Sequence, residues 1–326
     1  MTGIGFLGCA HVHADTYADE LPAAGGLPRA VFDHQPDRAR AFALRHGLAV
    51  AESPEQLCAM VDGVIVAAEH VRFPELVAVA AAHGTPVLCE KPLGVSEQAA
   101  AAILDSGAWV SMALPVRYAP AVRQAKAAID AGGLGPLVAV SGTNHGAFPG
   151  GFFGDRQASG GGAIIDHVVH LADALRFLTG CEFETVYAES SSLHGVGDVE
   201  DSAQVVATTR QGAWVSIDPS WSRPAGMAGA NDLRMTLWFE HGQLKIDAFA
   251  RHGVLVRGGG WTSHQPYGAG MDAALLADWV RAVRTGAPPP IPMQDGWKAT
   301  QLALAALEST ATGAVVRIPA QEGTST

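Results

Sequence analysis

The sequence has little of what cross-links a protein or ties it to a membrane or a polyanion. Its 326 residues include only four cysteines, with no Cys-x-x-Cys pair and no close clustering. We therefore predict neither a disulfide framework nor a zinc knuckle. Charged residues make up 16% and hydrophobic residues 48%, a balance that excludes a disordered chain. No run of 18 or more apolar residues occurs, so no membrane-spanning segment is expected.

Positive charge is also scarce. With 21 basic and 32 acidic residues, the formal net charge is -11, which argues against general binding to nucleic acid or to an anionic membrane. The amino terminus has no basic segment followed by an apolar run, so no signal peptide is expected. Scattered thiols fit a reducing compartment, and we predict a cytoplasmic protein.

The first part of the chain alternates short apolar runs with alanine-rich stretches of helical character. Gly47 is expected to end a helix that starts at Pro36, and Ser96 to cap a later one. This alternation predicts a parallel, doubly wound α/β domain over residues 1–118. Its five predicted strands are Gly3–Leu7, Pro28–Phe32, Val64–Ala67, Pro86–Cys89 and Trp109–Met112.

The pattern changes in residues 119–326, where strand-like runs follow one another without helices between them. We predict an α+β domain with a large, mainly antiparallel open sheet. In this prediction, the last helix and the last strand can pack back against the first domain. The predicted strands are Leu137–Ser141, Thr185–Ser190, Ser202–Thr209, Ala213–Pro219, Leu233–Glu240, Gln243–Asp247 and Val315–Arg317, and the predicted helices are Pro120–Ala131, Ala163–Leu178, Met271–Arg284 and Asp295–Thr310.

A literal G-x-G-x-x-G spans Gly3 to Gly8, but these residues form the predicted strand itself. A phosphate-binding glycine motif must follow the strand and open a helix. The register that satisfies this rule starts at Gly8 and reads GCAHVH. Ala10 then stands where the backbone approaches a pyrophosphate, and His13 where a small residue normally lets helix and strand pack closely. By itself this is a weak signal for a dinucleotide site.

Asp33 ends the second predicted strand, 25 residues after Gly8. An acid near this spacing can bond the adenosine ribose hydroxyls, and it repels a 2′-phosphate. This favours NAD over NADP, although His34 and Arg38 leave NADP open because either can approach a phosphate. The alternative is that Asp33 only caps the following turn.

His11 and His13 form an H-x-H pair at the end of the first strand. In barrel hydrolases such a pair binds zinc, but a barrel needs eight strand–helix units and further ligands at later strand ends. The strand-rich second half does not supply those units. We therefore expect no metal, with His11 lining the glycine turn and His13 packing on the helix.

Two further groups of residues are candidates for catalysis. Lys91 follows the fourth predicted strand, where a lysine can donate to a substrate oxygen, although most lysines simply lie at the surface. Asp166 and His170 have i, i+4 spacing on a predicted helix, which suits either a general base or an ordinary helix pair. The three glycines that precede Asp166, from Gly160 to Gly162, suggest close approach of the backbone to a ligand or another segment.

On longer motifs, the chain resembles the Gfo/Idh/MocA (glucose-fructose oxidoreductase and inositol dehydrogenase) family over essentially its whole length. The motifs that carry the resemblance are VLCEKPLG (Val87–Gly94), VRYAPAVRQAKAAIDAGGLGPL (Val116–Leu137), GGGAIIDHVVHLADALRFLTG (Gly160–Gly180), VEDSAQV (Val199–Val205) and RTGAPPPIPMQDGWKATQLALAALESTATG (Arg284–Gly313).

The resemblance implies a Rossmann domain, a second domain whose open sheet often forms dimer or tetramer contacts, and an NAD(P)-dependent oxidoreductase. Its substrate would be a sugar, polyol or cyclitol. Lys91 matches the lysine of the family's E-K-P motif, and Asp166 and His170 match its paired Asp and His. By this match, His170 takes the hydroxyl proton, Lys91 stabilises the alkoxide, and Asp166 orients the substrate or His170.

The sequence departs from the family pattern in the glycine turn and after the third predicted strand, where the usual T-P-x-x-x-H is replaced by AEHVRF. Because the catalytic residues remain, a working enzyme is favoured over a non-catalytic cofactor sensor, with an NAD-recycling lyase or glycosidase as a further alternative. The predicted cofactor residues are Gly8, Ala10, His11, Val12, Asp33, Arg38, Ala68, Glu69, His70, Glu90 and Lys91, and the predicted substrate residues are Lys91, Arg117, Asn144, His145, Asp166 and His170. Tyr118 and Trp221 are expected to lie in the core.

Overall fold

The structure is a computed structural model that describes residues 1–224, 231–250, 252–257, 261–266 and 270–320. The chain forms two compact units that are discontinuous in sequence. The first comprises Met1–Pro120, Pro149–Gly160 and Ala250–Trp297, and the second comprises Ala121–Phe148, Gly161–Phe249 and the chain from Lys298 onward. The boundary between residues 118 and 119 stays a prediction, because each unit draws on later segments of the chain.

The first unit contains a six-stranded, wholly parallel sheet with the order β3-β2-β1-β4-β5-β6. Every residue of β1 and β4 is buried, as expected for strands covered on both faces. This is the strand order of a Rossmann fold, which confirms the predicted doubly wound domain. The strands are β1 (Thr2–Leu7), β2 (Gly26–Phe32), β3 (Ala49–Val50), β4 (Gly63–Val66), β5 (Val87–Cys89) and β6 (Val110–Met112).

Helices α1 (His13–Glu20), α2 (Pro36–His46), α3 (Pro54–Met60), α4 (Phe73–Ala82) and α5 (Glu97–Leu104) connect these strands. Gly47 ends α2 in the left-handed conformation, and the Ser96 side chain caps α5 by accepting from the Ala99 N–H at 3.1 Å. Both predictions are confirmed. The sequence from His13 onward also predicts a helix to about Ala24, and this is wrong: α1 ends at Glu20, because Pro22 has no N–H with which to continue the helical hydrogen bonds.

Sequence analysis missed two short elements of the first unit, β3 and α3. Strand β3 has only two residues, and both are exposed, so no apolar pattern marks it. Helix α3 has seven residues and a capping serine, because the Ser53 hydroxyl accepts from the Gln56 N–H at 3.1 Å. The Ser–Pro pair at its start was the available signal.

The second unit contains a seven-stranded mixed sheet with the order β12-β11-β7-β10-β9-β8-β15. Only the β7–β10 pair is parallel among its described ladders, so the mainly antiparallel prediction is confirmed. The strands are β7 (Leu137–Thr143), β8 (Phe183–Ser191), β9 (Ser202–Thr209), β10 (Trp214–Asp218), β11 (Arg234–Phe239), β12 (Gly242–Asp247) and β15 (Val316–Arg317).

The remaining helices are α6 (Pro120–Asp130), α7 (Arg156–Ser159), α8 (Val169–Thr179), α9 (Met271–Thr285) and α10 (Met293–Thr312). Helix α9 packs within the first unit, where the fully buried Trp279 ring lies against Gly63 of β4. A separate antiparallel ladder, β13 (His252–Arg257) and β14 (Trp261–Pro266), has no counterpart among the predicted elements. Among the described residues, no helix combines the length and the apolar character needed to cross a membrane.

Candidate functional site

The turn between β1 and α1 holds the first predicted cofactor residues. Gly8 has φ +82°, and a Cβ at this position would overlap with Ala68, the residue that follows β4 by two positions. The Gly8 N–H donates to the Phe32 carbonyl at 2.7 Å, and the His11 N–H donates to the Ala67 carbonyl at 2.9 Å. Gly3 lies within β1, so the turn does begin at Gly8 as predicted. Only glycine fits there without strain.

Asp33 lies at the carboxyl end of β2, beside this turn, and it is buried. Its Oδ2 accepts from the Cys9 N–H at 2.9 Å, so the acid is joined directly to the glycine turn. Arg38 donates to both carboxylate oxygens, from Nε at 2.9 Å and from Nη2 at 2.7 Å. Burial alone would raise the pKa of Asp33, but the Arg38 bonds and the backbone N–H groups of Gln35 and Cys9 lower it. Asp33 is therefore an anion at neutral pH.

The segment after β4 completes this end of the site. Glu69 is buried, and its Oε1 accepts from Arg38 Nη2 at 2.8 Å. His70 is fully buried, and its Nδ1 donates to the Ser159 carbonyl at 2.9 Å. Ala68 is buried against Gly8. Ala68, Glu69 and His70, which depart from the family pattern, are thus buried within the first unit.

Glu90 and Lys91 follow β5 directly and are both buried. The Glu90 carboxylate accepts from Tyr17 Oη at 2.6 Å, from the ring of His13 at 2.9 Å and from the Lys91 N–H at 3.1 Å. Sequence analysis missed Tyr17, and its only signal is a position one helical turn after His13. A buried carboxylate of this kind needs charge-assisted partners, and Glu90 has them.

The two histidines of the H-x-H pair have opposite electrostatic environments. His11 is buried, and desolvation lowers its pKa. Burial also acts to lower the pKa of His13, but its contact with Glu90 outweighs burial and raises it. Burial would raise the pKa of Glu90, yet the nearby His11 and His13 together with Lys91 lower it strongly. His11 is therefore the neutral ring of the pair, and His13 is the one that favours its charged form.

His11, His13 and Glu90 also place three donor atoms within 4.8 Å of one another, which is the one such group among the described residues. These residue types can ligate zinc. The hydrogen bonds from His13, Tyr17 and the Lys91 N–H already satisfy Glu90 without a cation. The surrounding sheet is open and six-stranded, unlike a barrel. The prediction of no metal therefore remains a prediction.

Arg117 and Tyr118 follow β6 within the first unit. Arg117 donates from Nη1 to Asp295 Oδ2 at 3.1 Å, and the Tyr118 hydroxyl donates to Asp278 at 2.7 Å. Tyr118 is buried, as expected for a core residue. The predicted substrate role of Arg117 is untested, and its position is held by an ion pair to the start of α10.

Asp166 lies in a π-helical turn, Ile164–Val168, which precedes α8. Its Oδ2 accepts from the buried Trp221 Nε1 at 3.1 Å and lies 3.3 Å from His167 Nε2. His167 in turn donates from Nδ1 to the Pro219 carbonyl at 3.0 Å. Sequence analysis missed the π-helical turn and the His167 contact, and it expected regular helix from Ala163. Single π turns within helices are frequent at functional sites.

His170 is the second residue of α8 and is half-buried. The π-helical turn is held at its start by Glu200, a residue of the quoted VEDSAQV motif to which we assigned no role. Glu200 Oε1 accepts from the Gly162 N–H at 2.8 Å and from the Ile164 N–H at 3.2 Å. A Cβ on Gly162 would overlap with the Glu200 carbonyl, so the predicted close approach of the backbone to another segment is confirmed.

Asn144 and His145 follow β7 and form a polar network within the second unit. The His145 ring lies between two carboxylates, with Nε2 3.0 Å from Asp218 Oδ2 and Nδ1 3.2 Å from Asp232 Oδ2. Asn144 donates to the Asp232 carbonyl at 2.9 Å. Burial opposes the ionised form of both acids, but hydrogen bonds and His145 lower the pKa of each. Asp218 and Asp232 were missed, and only strand pairing reveals them.

The predicted site residues fall into two groups. The first unit contains Gly8, Ala10, His11, Val12, Asp33, Arg38, Ala68, Glu69, His70, Glu90, Lys91 and Arg117, and the second contains Asn144, His145, Asp166 and His170. Apart from Arg117, which follows β6, the first group clusters along the carboxyl ends of β1, β2, β4 and β5, which is where α/β sheets bind ligands. Their roles remain predictions.

Two family models match the chain. One, described as an oxidoreductase family with an NAD-binding Rossmann fold, matches residues 1–108. The other, described as the GFO/IDH/MocA C-terminal domain, matches residues 122–245. Together they cover five of the six strands of the parallel sheet and most of the mixed sheet.

Known proteins agree with these matches. The rhizopine catabolism protein MocA of Rhizobium meliloti is 30% identical over 266 residues, which are 76% of this chain and 75% of that protein. Inositol 2-dehydrogenase 1 of Saccharopolyspora erythraea is 28% identical over 98% of this chain and 95% of its own length. Four other inositol dehydrogenases match over 64–66% of their own length.

A structure of levoglucosan dehydrogenase with NADH and levoglucosan superposes with a TM-score of 0.85, covering 98% of this chain and 100% of that one. At 20% identity this likeness concerns the fold. The family models, the MocA relative and the fold agree, and the chain therefore belongs to the Gfo/Idh/MocA family of NAD-binding oxidoreductases.

Proposed function

We propose that this protein transfers a hydride between nicotinamide and a carbon that carries a hydroxyl or carbonyl group in a sugar, polyol or cyclitol. The observation that carries the proposal is the arrangement within the first unit. A buried Lys91 follows β5 at the same sheet edge as the Gly8 turn and Asp33. The named activities of the inositol dehydrogenase relatives support the substrate class.

The residues of the first unit fit a dinucleotide. The Gly8 turn opens α1, whose amino-terminal N–H groups suit a pyrophosphate, and Asp33 stands where ribose hydroxyls are bound. When bound, the nicotinamide supplies the hydride chemistry. In our proposal, Lys91 donates to the substrate oxygen and stabilises negative charge on it as an alkoxide develops.

The roles of Asp166 and His170 are proposed from the family resemblance. His170 takes the hydroxyl proton in the oxidising direction, and Asp166 orients the substrate or His170. Trp221 holds Asp166 by a hydrogen bond of 3.1 Å, and the π-helical turn sets its direction. Arg117, Asn144 and His145 are proposed to contact the hydroxyl groups of the substrate.

We also propose that NAD is preferred over NADP. The acid at the end of β2 favours a ribose with a free 2′-hydroxyl and repels a 2′-phosphate. Arg38 would have to give up its two hydrogen bonds to Asp33 in order to bind a 2′-phosphate.

The first experiment titrates the purified protein with NADH and with NADPH, following nicotinamide fluorescence, for wild type and Asp33→Ala. NADH should bind in the micromolar range and more weakly to the variant. A screen of polyols and sugars with NAD, read as NADH formation, then identifies the substrate. If wild type binds neither cofactor, the dehydrogenase proposal is wrong.

Lys91→Met tests the catalytic step. Because one electrostatic contact to a developing oxyanion is typically worth a hundredfold or more, kcat should fall by about that factor while NADH still binds. Lys126→Met is the matched control, since Lys126 pairs with Asp130 on the exposed side of α6 and should leave kcat unchanged. Equal activity of wild type and Lys91→Met would reject the assignment.

We further propose that two copies of the chain associate through the open face of the mixed sheet, as a homodimer or as half of a homotetramer. Trp214 of β10 and Trp238 of β11 both pair with Ala139 of β7, so the two indoles flank one small residue. Their exposed fractions are 62% and 39%. Exposed aromatic patches of this kind mark protein interfaces, and a self-complementary face suits a twofold pair.

The interface is tested by sedimentation of wild type and of Trp214→Glu. Wild type should sediment as a dimer or tetramer, and the variant should shift toward monomer. Leu44→Glu is the control, because Leu44 is 86% exposed on α2 in the first unit. A monomeric wild type would contradict the proposal.

The remaining proposals concern compartment and partners. We propose a cytoplasmic protein, because its four cysteines are all free thiols. We propose no nucleic-acid or membrane partner, on the ground of its net charge of -11.

A further inference from the structure

The hydrogen-bonding capacity of Asp33 is already filled by the protein. Its Oδ1 accepts from the Gln35 N–H at 2.8 Å and from Arg38 Nη2 at 2.7 Å. Its Oδ2 accepts from the Cys9 N–H and from Arg38 Nε, both at 2.9 Å. A carboxylate offers about four acceptor positions, so Asp33 alone has little left for two ribose hydroxyls.

Glu69 lies on the other side of Arg38. Unlike Asp33, it has a carboxylate oxygen that accepts no hydrogen bond. Its Oε1 accepts from Arg38 Nη2 at 2.8 Å, but its Oε2 is buried and has no hydrogen bond. The ring of His34 comes near Oε2, but its Nδ1 lies 3.7 Å away, beyond hydrogen-bond distance. A buried carboxylate oxygen without a donor is costly, and a hydroxyl group from a ligand would relieve that cost.

We infer that Glu69 is the second acceptor for the adenosine ribose and a determinant of cofactor choice, an inference that rests on the proposed function. Its free oxygen accepts from a ribose hydroxyl that Asp33 cannot serve. Within this cluster, the two acids Asp33 and Glu69 face one permanent cation, Arg38, and the titratable ring of His34. A 2′-phosphate of about -2 would have to approach both carboxylates, which repel it.

Glu69 also controls what Arg38 can do. The guanidinium donates to Asp33 through two nitrogens and to Glu69 through Nη2, and Nη2 lies 3.4 Å from His34 Nδ1. An arginine that is hydrogen-bonded to two carboxylates cannot turn its guanidinium group toward a phosphate without losing those bonds. Removing the charge of Glu69 frees one side of Arg38 and lowers the repulsion at the same time.

The test compares the dissociation constants of NADH and NADPH for wild type and Glu69→Gln, a change that keeps the size of the side chain. Wild type should prefer NADH by a hundredfold or more. In Glu69→Gln, NADH should bind several-fold more weakly and NADPH more tightly, so that the preference falls at least tenfold. Near-ultraviolet circular dichroism checks the fold, and Glu69→Ala repeats the test should the glutamine variant be misfolded.

Glu75→Gln is the matched control, because Glu75 pairs with Arg72 on the exposed side of the same segment. Its cofactor preference should equal that of wild type. A preference within twofold of wild type in Glu69→Gln, with NADH still bound, overturns this inference alone. Failure of wild type to bind NADH overturns the proposed function, and this inference with it.

Discussion

Asp33 and Glu90 are both carboxylates at the carboxyl end of a strand in the same parallel sheet, yet the protein stabilises them in different ways. Asp33 is paired with Arg38, whose side chain is 25% exposed and whose charge is permanent. Glu90 is fully buried and depends on His13, Tyr17 and a backbone N–H. Two carboxylates at one sheet edge therefore respond differently to pH. The pairing of Asp33 with Arg38 does not change around neutral pH, whereas the pairing of Glu90 depends on the titration of the His13 ring.

The difference follows from what each acid faces. Asp33 lies beside an arginine in the first turn of α2, so a partner is supplied locally by the sequence. Glu90 has its side-chain partners on α1, more than 70 residues away in the chain. The comparison predicts that the Glu90 network contributes more to stability and that its contribution changes around neutral pH.

The largest effect is expected from Glu90→Ala. Removing this carboxylate leaves Tyr17 and His13 without their shared acceptor in a buried region, and breaking a buried charge pair costs about 3–5 kcal/mol. Urea unfolding should show a loss of that size in the free energy of unfolding. Glu52→Ala, at an exposed position, should change it by less than about 0.5 kcal/mol. A Glu90 variant as stable as wild type would refute the importance of the network.

Arg38→Gln is expected to have a smaller effect, about 2 kcal/mol, because Asp33 keeps its two backbone donors and solvent reaches this site. The same urea titrations measure it. Should Arg38→Gln prove more destabilising than Glu90→Ala, the proposed order of the two networks is reversed.

The pH dependence separates the two networks. Glu90 raises the pKa of His13 above its unfolded value in spite of burial. The stability from this contact is therefore fully present below roughly pH 6.5 and is lost as pH rises through the higher folded pKa. The groups that face His13 are His11, Tyr17, Glu90, Lys91 and Asp272.

The measurement is the difference in unfolding free energy between wild type and His13→Gln, followed from pH 6 upward. This difference should shrink as pH rises, whereas the difference between wild type and Arg38→Gln should stay constant over the same range. A constant difference for His13→Gln would show that the ring is not charged in the folded protein.

The smallest expected effect is that of chelation. Because Glu90 is satisfied by protein donors, dialysis against EDTA should leave both the melting temperature and NADH binding unchanged. A drop in melting temperature that zinc restores would instead assign His11, His13 and Glu90 to a cation, and the hydrogen-bond comparison would have to be abandoned.

Much of the fold followed from local pattern. Continuous apolar runs predicted the buried strands, and Gly47 and Ser96 predicted helix ends, because both act within a few residues. Elements without such local signals were missed, including the exposed β3, the π-helical turn at Asp166, and the β13–β14 ladder. The position of α9 within the first unit could not be predicted from the hydrophobic pattern either, since it depends on the contact between Trp279 and β4.

The same division applies to the site. Gly8, Asp33 and Lys91 were predicted because each lies within two residues of the end of a predicted strand, and strand ends meet at one edge of a parallel sheet. Tyr17, Glu200 and Asp232 were missed, because their partners are distant in sequence and only folding brings them together.

Local pattern along the chain was enough to establish the doubly wound sheet and the family of this protein, and it predicted the strand ends at which its chemistry lies. Periodicity, turn residues and spacing are local, so they can be read along the chain. Which acceptors are filled and which are free was settled by folding alone, as with Asp33 and Glu69 around Arg38. Hydrogen-bond capacity and burial depend on every neighbour at once, and those neighbours come from separate segments of the chain.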